Sequence, residues 1–400
     1  MENLKILDGK GYDIEIQSWP IFDNLELEYV QDAVRSTSWW RMAGNQIDEF
    51  EKAFAAHHQS KNALAVTNGT HALELIFLAL GIGVGDEVII PAFTFISTAT
   101  AIMRCGAIPV PVDVTSDTYC LDPNKVREAI SSKTKAIVPV HMAGHACEMD
   151  GLQVICEEFN LKLIEDAAHA HGGSYKGKKL GSFGDAAIFS FQQFKLMSAG
   201  EGGIIVYQDN NLTEELFRLH NVGRPQNDSN YLHIGLGSNY RMSEFQAAVL
   251  RAQLTRLDQQ TEVREKNASM LDSLLQDIPG IVPQVKAQTM TTHPHYMYMF
   301  QYDSEKFGGM TRLEFIDALV AEGIPAYRAY PTVQSTDVFK TFVNSKEVTA
   351  PIFLTPVADN IAENVVWIHH RMLLSPQESI EKLAKVIKSI YLYSNRSVTI

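Results

Sequence analysis

The stretch from Asp86 to Phe191 limits the fold of this chain more than any other, because short apolar runs alternate there with segments of helical spacing. Residues 87–90 read as strand, 96–105 as helix, 109–112 as strand, 123–131 as helix, 136–140 as strand, 151–160 as helix and 162–164 as strand. Strands separated by helices at this spacing need crossover connections, which puts them in one largely parallel sheet. Ligands of such open sheets bind at the carboxyl ends of the strands, and Asp113, His141 and Asp166 fall at three such ends. Gly81, Gly83 and Gly85 imitate a dinucleotide fingerprint, but they follow a helix and precede a strand, the reverse of the required order, so they read as a turn.

Three segments around that sheet carry chemistry. An apolar run over 63–66 leads into Asn68, Gly69 and Thr70 and then a helical run over 71–80. Free N–H groups and the helix dipole make such a junction an anion site, and glycine admits a phosphate to the backbone; an ordinary helix cap uses the same residues. Asp166 ends a strand and is followed by small residues and His169. It is either a helix cap or an acid that faces a flat ring, with His169 beside the same ring. Ser190 and Lys195 end a third apolar segment, and Lys195 opens a loop of small residues from Ser198 to Gly203. Flanked by Phe194, Leu196 and Met197, Lys195 is either a surface lysine or a partly desolvated amine whose lowered pKa suits Schiff-base chemistry near neutral pH. An anion cradle, a strand-end acid and such a lysine, in that order on a parallel scaffold, fit pyridoxal phosphate, with Ser190 donating to its phosphate.

Outside the sheet, residues 25–36 and the positions Ile47, Phe50 and Phe54 keep helical spacing, and Trp39 and Trp40 between them suit a packing anchor or a subunit contact. Ser243 and Gln246 form a capping box for a long helix towards Leu275 that is expected to bridge two domains. Alternation over 295–302, a helix after Thr311, the segment 325–330 and a last helix begun by Ser375 and Pro376 complete a smaller α+β unit. The expected division is an N-terminal arm and large cofactor-binding domain over 1–258 and a small domain over 259–400.

A formal charge of −13, from 47 acidic and 34 basic residues without long runs of one sign, argues against nucleic acid or an anionic membrane as partner. The start, Met1 to Lys5, lacks a signal-peptide layout and no apolar run is long enough to span a bilayer, so the expected location is cytoplasmic. Cys105, Cys120, Cys147 and Cys156 contain no C-x-x-C pair and read as reduced core thiols. His141 and His145 have paired spacing without the glutamate of the zinc-protease motif, so no metal is expected, and either is a candidate to line a pocket. His57, His58, His293, His295, His369 and His370 read first as capping or packed histidines.

From about Ser38 to the final helix the chain resembles the sugar aminotransferases of pyridoxal phosphate fold type I, which make amino sugars and aminocyclitols. Thr67 to Leu73 is similar to the family's phosphate-cradling turn, Pro91 to Phe95 to its next segment, Glu165 to His169 to its ring-nitrogen motif, and Gly237 to Met242 to a segment that crosses to a neighbouring subunit. Histidine stands at 169 where many members have glutamine. The resemblance implies an α/β fold, a mostly parallel central sheet flanked by helices with a smaller α+β C-terminal domain. It implies that Phe95 stacks on the cofactor, that Asp166 pairs with its ring nitrogen, and that Lys195 carries it as an aldimine while the amino group passes through pyridoxamine phosphate. Asn239 would reach the phosphate of the partner subunit, which makes the enzyme at least a homodimer with shared active sites.

Relatives with histidine in place of the lysine dehydrate instead of transaminating, so Lys195 places this chain with the transaminases. The segments Trp39 to Gly44 and Phe191 to Gly203 look most like the branch of keto-inositol aminotransferases and 3-amino-5-hydroxybenzoate synthase. The implied substrates are L-glutamate or L-glutamine as donor and a keto-sugar or keto-cyclitol as acceptor, with aromatisation of an aminocyclohexenone as the alternative. Arg41, His141, Arg241 and His370 are candidates for substrate contacts, Arg41 across the dimer or else as a plain surface residue, and His370 because the cyclitol branch has an aromatic-then-histidine stretch comparable to Trp367 to His370. A rival of another class is a non-catalytic scaffold that keeps the fold without the chemistry.

Overall fold

A computed structural model describes residues 4–5, 9–226, 230–345 and 351–396. Met1 to Asn3, read above for a leader, lie outside them. Helices α1 (Asn24–Ser36) and α2 (Gln46–His57) precede β1 (Asn62–Val66), α3 (Gly69–Ala79), β2 (Glu87–Pro91), α4 (Ser97–Arg104), β3 (Ile108–Val112), α5 (Pro123–Ala129), β4 (Thr134–Ile137), α6 (Met149–Phe159) and β5 (Lys162–Asp166). The short strands β6 (Ser174–Tyr175) and β7 (Lys178–Lys179) lead to β8 (Ala186–Ser190), β9 (Gly203–Tyr207), α7 (Asn211–His220) and α8 (Glu244–Leu275). The remainder is β10 (Ile281–Pro283), β11 (Met290–Thr292), β12 (Met297–Tyr302), α9 (Arg312–Ala321), β13 (Ala326–Arg328), α10 (Asp337–Val343), α11 (Pro356–Asn364), β14 (Val365–His369) and α12 (Gln377–Ser394).

Seven strands form the central sheet in the order β1-β9-β8-β5-β4-β2-β3. Strands β2, β3, β8 and β9 are buried at every position, which is why they read as unbroken apolar runs rather than alternating ones. β3 stands at the edge. Ile108 donates its N–H to Asp86 at 2.8 Å, so the alternate positions, Pro109 and Pro111, turn towards the open side, where a missing N–H removes nothing from the ladder. β9 runs antiparallel to both β1 and β8, so the sheet is mixed although its other pairs are parallel. β4 is shorter than expected. Pro139 interrupts it, and the chain rejoins β5 by a bridge between Val140 and Asp166.

The capping boxes Ser243 with Gln246 and Thr311 with Glu314 start α8 and α9. α8 runs unbroken across residue 258. Leu250 and Leu257 pack into the core on one side of the large sheet, whereas Ala268, Leu271 and Leu275 belong to a second core built on the sheet β10-β12-β14-β13. Among the described residues no helix is long and apolar enough to cross a membrane. Three of the four cysteines are buried and Cys105 is half-buried; all are free.

Candidate active site

Where β1 ends, Asn68 is extended (φ −169°) and caps α3, its side-chain oxygen accepting the His71 N–H at 2.8 Å. The Asn68 side chain is thereby occupied, and it is the N–H groups of Gly69 and Thr70, beyond the reach of any helical carbonyl, that are left for an anion. Glycine is required for closeness. A Cβ at Gly69 would lie 3.0 Å from the Ser190 Cβ, and one at Gly203 would lie 2.4 Å from the carbonyl carbon of Asn68. Thr70 donates to the Ser97 hydroxyl at 3.0 Å, tying the turn to the start of α4.

Asp166 ends β5. Its Oδ2 accepts from Thr98 at 2.8 Å and its Oδ1 from the Ala168 N–H at 3.2 Å. Burial raises this carboxyl above its ordinary range, and those two hydrogen bonds and the Lys195 charge work in the other direction. His169 stacks on Tyr296 (4.2 Å between centroids, 25° between planes), and its buried Nδ1 has no hydrogen-bond partner among the described residues. Burial first, then Lys195, holds its pKa well below 6.5, so the ring is neutral at pH 7.

β8 delivers Lys195 on a tight turn closed by its own N–H to the Gln192 carbonyl at 2.8 Å. Gln193 donates to Gly200, whose φ of +78° suits glycine, at 2.9 Å. The Lys195 Nζ lies 4.5 Å from the centre of the Tyr296 ring. Burial pulls this amine from 10.5 down to about 8, with Asp166 opposing the shift.

Asn68, Gly69, Thr70, Phe95, Asp166, His169, Ser190 and Lys195 all face one cavity of about 690 Å³. An aromatic wall stands among its other lining residues: Tyr296, Tyr330, and Tyr327 stacked on Trp367 at 4.5 Å, with His369 beside them. Sequence reasoning reached only the stretch from Trp367 to His370, where it chose His370, and did not assign Tyr296, Tyr327 or Tyr330. Period-two alternation along β14 was the available signal, since it puts Trp367 and His369 on one face and Val366 and Ile368 on the other, in the second core. Thr98, which holds Asp166, had no such signal.

Five expected contacts, among them Asn239, expected in the partner's site, lie away from this cavity, and a sixth is offset. Arg41 pairs with Glu51 through both nitrogens (2.5 and 2.9 Å) with only 8% of its side chain exposed, so it is neither a surface residue nor free for substrate. His141 is buried, bonded at 3.0 Å to Glu165 and accepting the Cys147 N–H at 3.2 Å. His145 is likewise buried, between Ala146 and Ala287. Arg241 donates to Asn221 at 2.9 Å and lies against Trp40, and Asn239 is exposed on the outer segment. His370 points behind the Lys195 turn; its neighbour His369 takes the cavity position.

The model of the DegT/DnrJ/EryC1/StrS aminotransferase family matches residues 20–390. The chain is 44% identical over 379 residues to 3-amino-5-hydroxybenzoate synthase of Amycolatopsis mediterranei (strain S699), covering 93% of this chain and 96% of that protein. It is 31% identical over 409 residues to L-glutamine:2-deoxy-scyllo-inosose aminotransferase of Streptoalloteichus tenebrarius, covering 96% of each. The crystal structure of 3-amino-5-hydroxybenzoic acid synthase matches with a TM-score of 0.89 at 43% identity, over 95% of this chain and 99% of that one.

Proposed function

This chain belongs to the DegT/DnrJ/EryC1/StrS aminotransferase family, pyridoxal phosphate enzymes of fold type I, and from that premise we propose that it moves an amino group from L-glutamine or L-glutamate to a six-membered cyclic ketone, a keto-cyclitol or keto-sugar of antibiotic biosynthesis. The observation that carries this reading is the Lys195 amine, desolvated to a pKa of about 8 on the same cavity wall as the Asp166 carboxylate and the open N–H groups of Gly69 and Thr70. The donor set fits pyridoxal phosphate. Gly69, Thr70 and Ser190 would hold the phosphate, Asp166 the ring nitrogen, Phe95 one ring face, and the unpartnered Nδ1 of His169 is a polar atom left for a ligand.

When bound, the cofactor supplies an electron sink for charge that develops at the substrate carbon and carries the amino group between donor and acceptor. The chain supplies the proton traffic. A Lys195 amine with a pKa near 8 takes a proton at Nζ and returns it at a cellular pH, and the face of the Tyr296 ring favours the protonated form between the two events. Neutral His169 adds no competing charge. The wall of Tyr327, Trp367 and Tyr330 offers flat apolar contact to a six-membered ring and excludes water. Our reading includes a homodimer in which Asn239 serves the partner's phosphate site, supported by its exposure beside the exposed Tyr231, Ile234 and Leu236.

A second reading is favoured by the 44% identity to a synthase of an aromatic amino acid, against 31% to an inosose aminotransferase. In it Lys195 removes a ring proton from an aminocyclohexenone and a ring hydroxyl leaves as water. An absorbance spectrum before and after adding each donor alone distinguishes the readings. The aminotransferase reading expects a visible cofactor band that one donor bleaches and that Lys195→Ala abolishes with the fold retained. A band that neither donor bleaches favours the aromatising reading, and no band after cofactor is supplied favours a scaffold.

A further inference from the structure

The turn that carries Lys195 has two carbonyls without a backbone partner among the described residues, and two rings from distant parts of the chain take them. Trp19 donates its indole N–H to the Gln193 carbonyl at 3.0 Å, and His370 reaches the Phe194 carbonyl with Nε2 at 3.0 Å. The backbone N–H groups of the turn are used: Gln193 donates to the Gly200 carbonyl, Phe194 to the Gln192 side chain at 2.9 Å, and Lys195 to the Gln192 carbonyl. A carbonyl only accepts, so the His370 proton sits on Nε2. That ring is fully buried, its Nδ1 has no hydrogen-bond partner among the described residues, and burial followed by His369 and Arg264 keeps it neutral. The two donors also brace each other, edge to face at 4.5 Å and 88°.

Both come from the C-terminal side of the molecule. His370 directly follows β14, and the arm that ends in Trp19 is laced to the second core, Tyr12 bonding Glu322 and Ser389 and Gln17 bonding Ser375 at 3.0 Å. Trp19 lies one residue outside the span that the family model matches.

We propose that Trp19 and His370 are positioning residues for Lys195, clamping the two successive peptides on either side of Phe194 so that the lysine leaves the turn towards the cavity and the Tyr296 ring. This rests on Lys195 being the residue that exchanges protons at the cofactor, and replaces the substrate contact expected of His370. Misplacing a reacting group by about 1 Å is enough for a loss of about 100-fold, so a loosened turn is read in rate rather than in binding.

The test uses the cofactor-loaded full chain and three variants: His370→Leu, His370→Gln, whose amide can donate from the Nε2 position, and Trp19→Phe. Two quantities are measured, the rate at which saturating amino donor bleaches the visible band and amide hydrogen exchange over residues 192–195. His370→Leu and Trp19→Phe are expected to slow bleaching about tenfold or more at unchanged donor affinity and to speed exchange in that turn alone, and His370→Gln to restore both. If His370→Leu fails to fold, Trp19→Phe carries the same comparison. Faster exchange without loss of rate, or a rate loss with no change in exchange, overturns the clamp. Retained turnover in Lys195→Ala overturns instead the reading of the lysine, which leaves the exchange result distinct.

Discussion

Arg41 shows what a single buried charge does when its partner is invisible from nearby sequence. Glu51 sits ten positions on, in α2, and its Oε1 also accepts the Ala65 N–H at 2.6 Å, so the pair joins the arm segment to β1. Burial raises the Glu51 carboxyl even with Arg41 beside it, so removal of the guanidinium leaves an acid with little else to hold its charge. Arg41→Met is therefore expected to lower stability by about 3–5 kcal/mol, read as a drop in the thermal midpoint, with the donor KM of the folded fraction unchanged. A raised KM at an unchanged midpoint would restore the substrate contact. Residues that the cavity does use were legible when they stood at strand ends or beside glycines, as Asp166, Lys195 and Gly69 do. Arg41, His141 and His370 were misplaced because a polar residue that satisfies a distant buried group looks, in one dimension, like one awaiting a ligand.

At the scale of elements, β9 fixes the anion end of the cavity from behind. Gly203 pairs with Val66 and Ser190, and an added Cβ would meet backbone atoms of Asn68 at 2.4–2.5 Å, which no rotamer change relieves. Gly203→Ala should displace the turn from β1 into α3, costing about 1–3 kcal/mol by overpacking and weakening cofactor retention together. Thermal unfolding and loss of the visible band on dialysis measure the two effects, and a loss of stability with full retention would separate the strand from the cradle. Element identity was legible because wholly buried strands and capping boxes write themselves into composition and spacing, as in β8 and at Ser243. The direction of β9 was less so. Its signal was the linker itself, since residues 191–202 hold no helix to make a crossover and so return the chain antiparallel.

For the molecule as a whole, burial of histidine sets the response to acid. Burial pushes His171, His220 and His295 down to about 3 and His369 to about 4, against 6.5 in an unfolded chain. Between pH 6.5 and those values the unfolded chain binds protons that the folded chain refuses, so stability falls as pH drops below 6.5. At pH 5.5 each of the four contributes a loss on the order of 1 kcal/mol, several kcal/mol together. Asp166 and Glu51, raised by burial, have the opposite sign and offset part of this loss. Net charge does not account for it, because the formal −13 shrinks on acidification and relieves self-repulsion. Lys195 acts at the other end: with a folded pKa of about 8 against 10.5 unfolded, its burial is a penalty below pH 8 that is relieved as pH rises from 8 to 10.5. Urea unfolding of the full chain at pH 7.5 and 5.5 should therefore show a midpoint several tenths molar or more lower in acid with an unchanged slope, and equal midpoints would mean that these rings are solvated or charged in the folded protein.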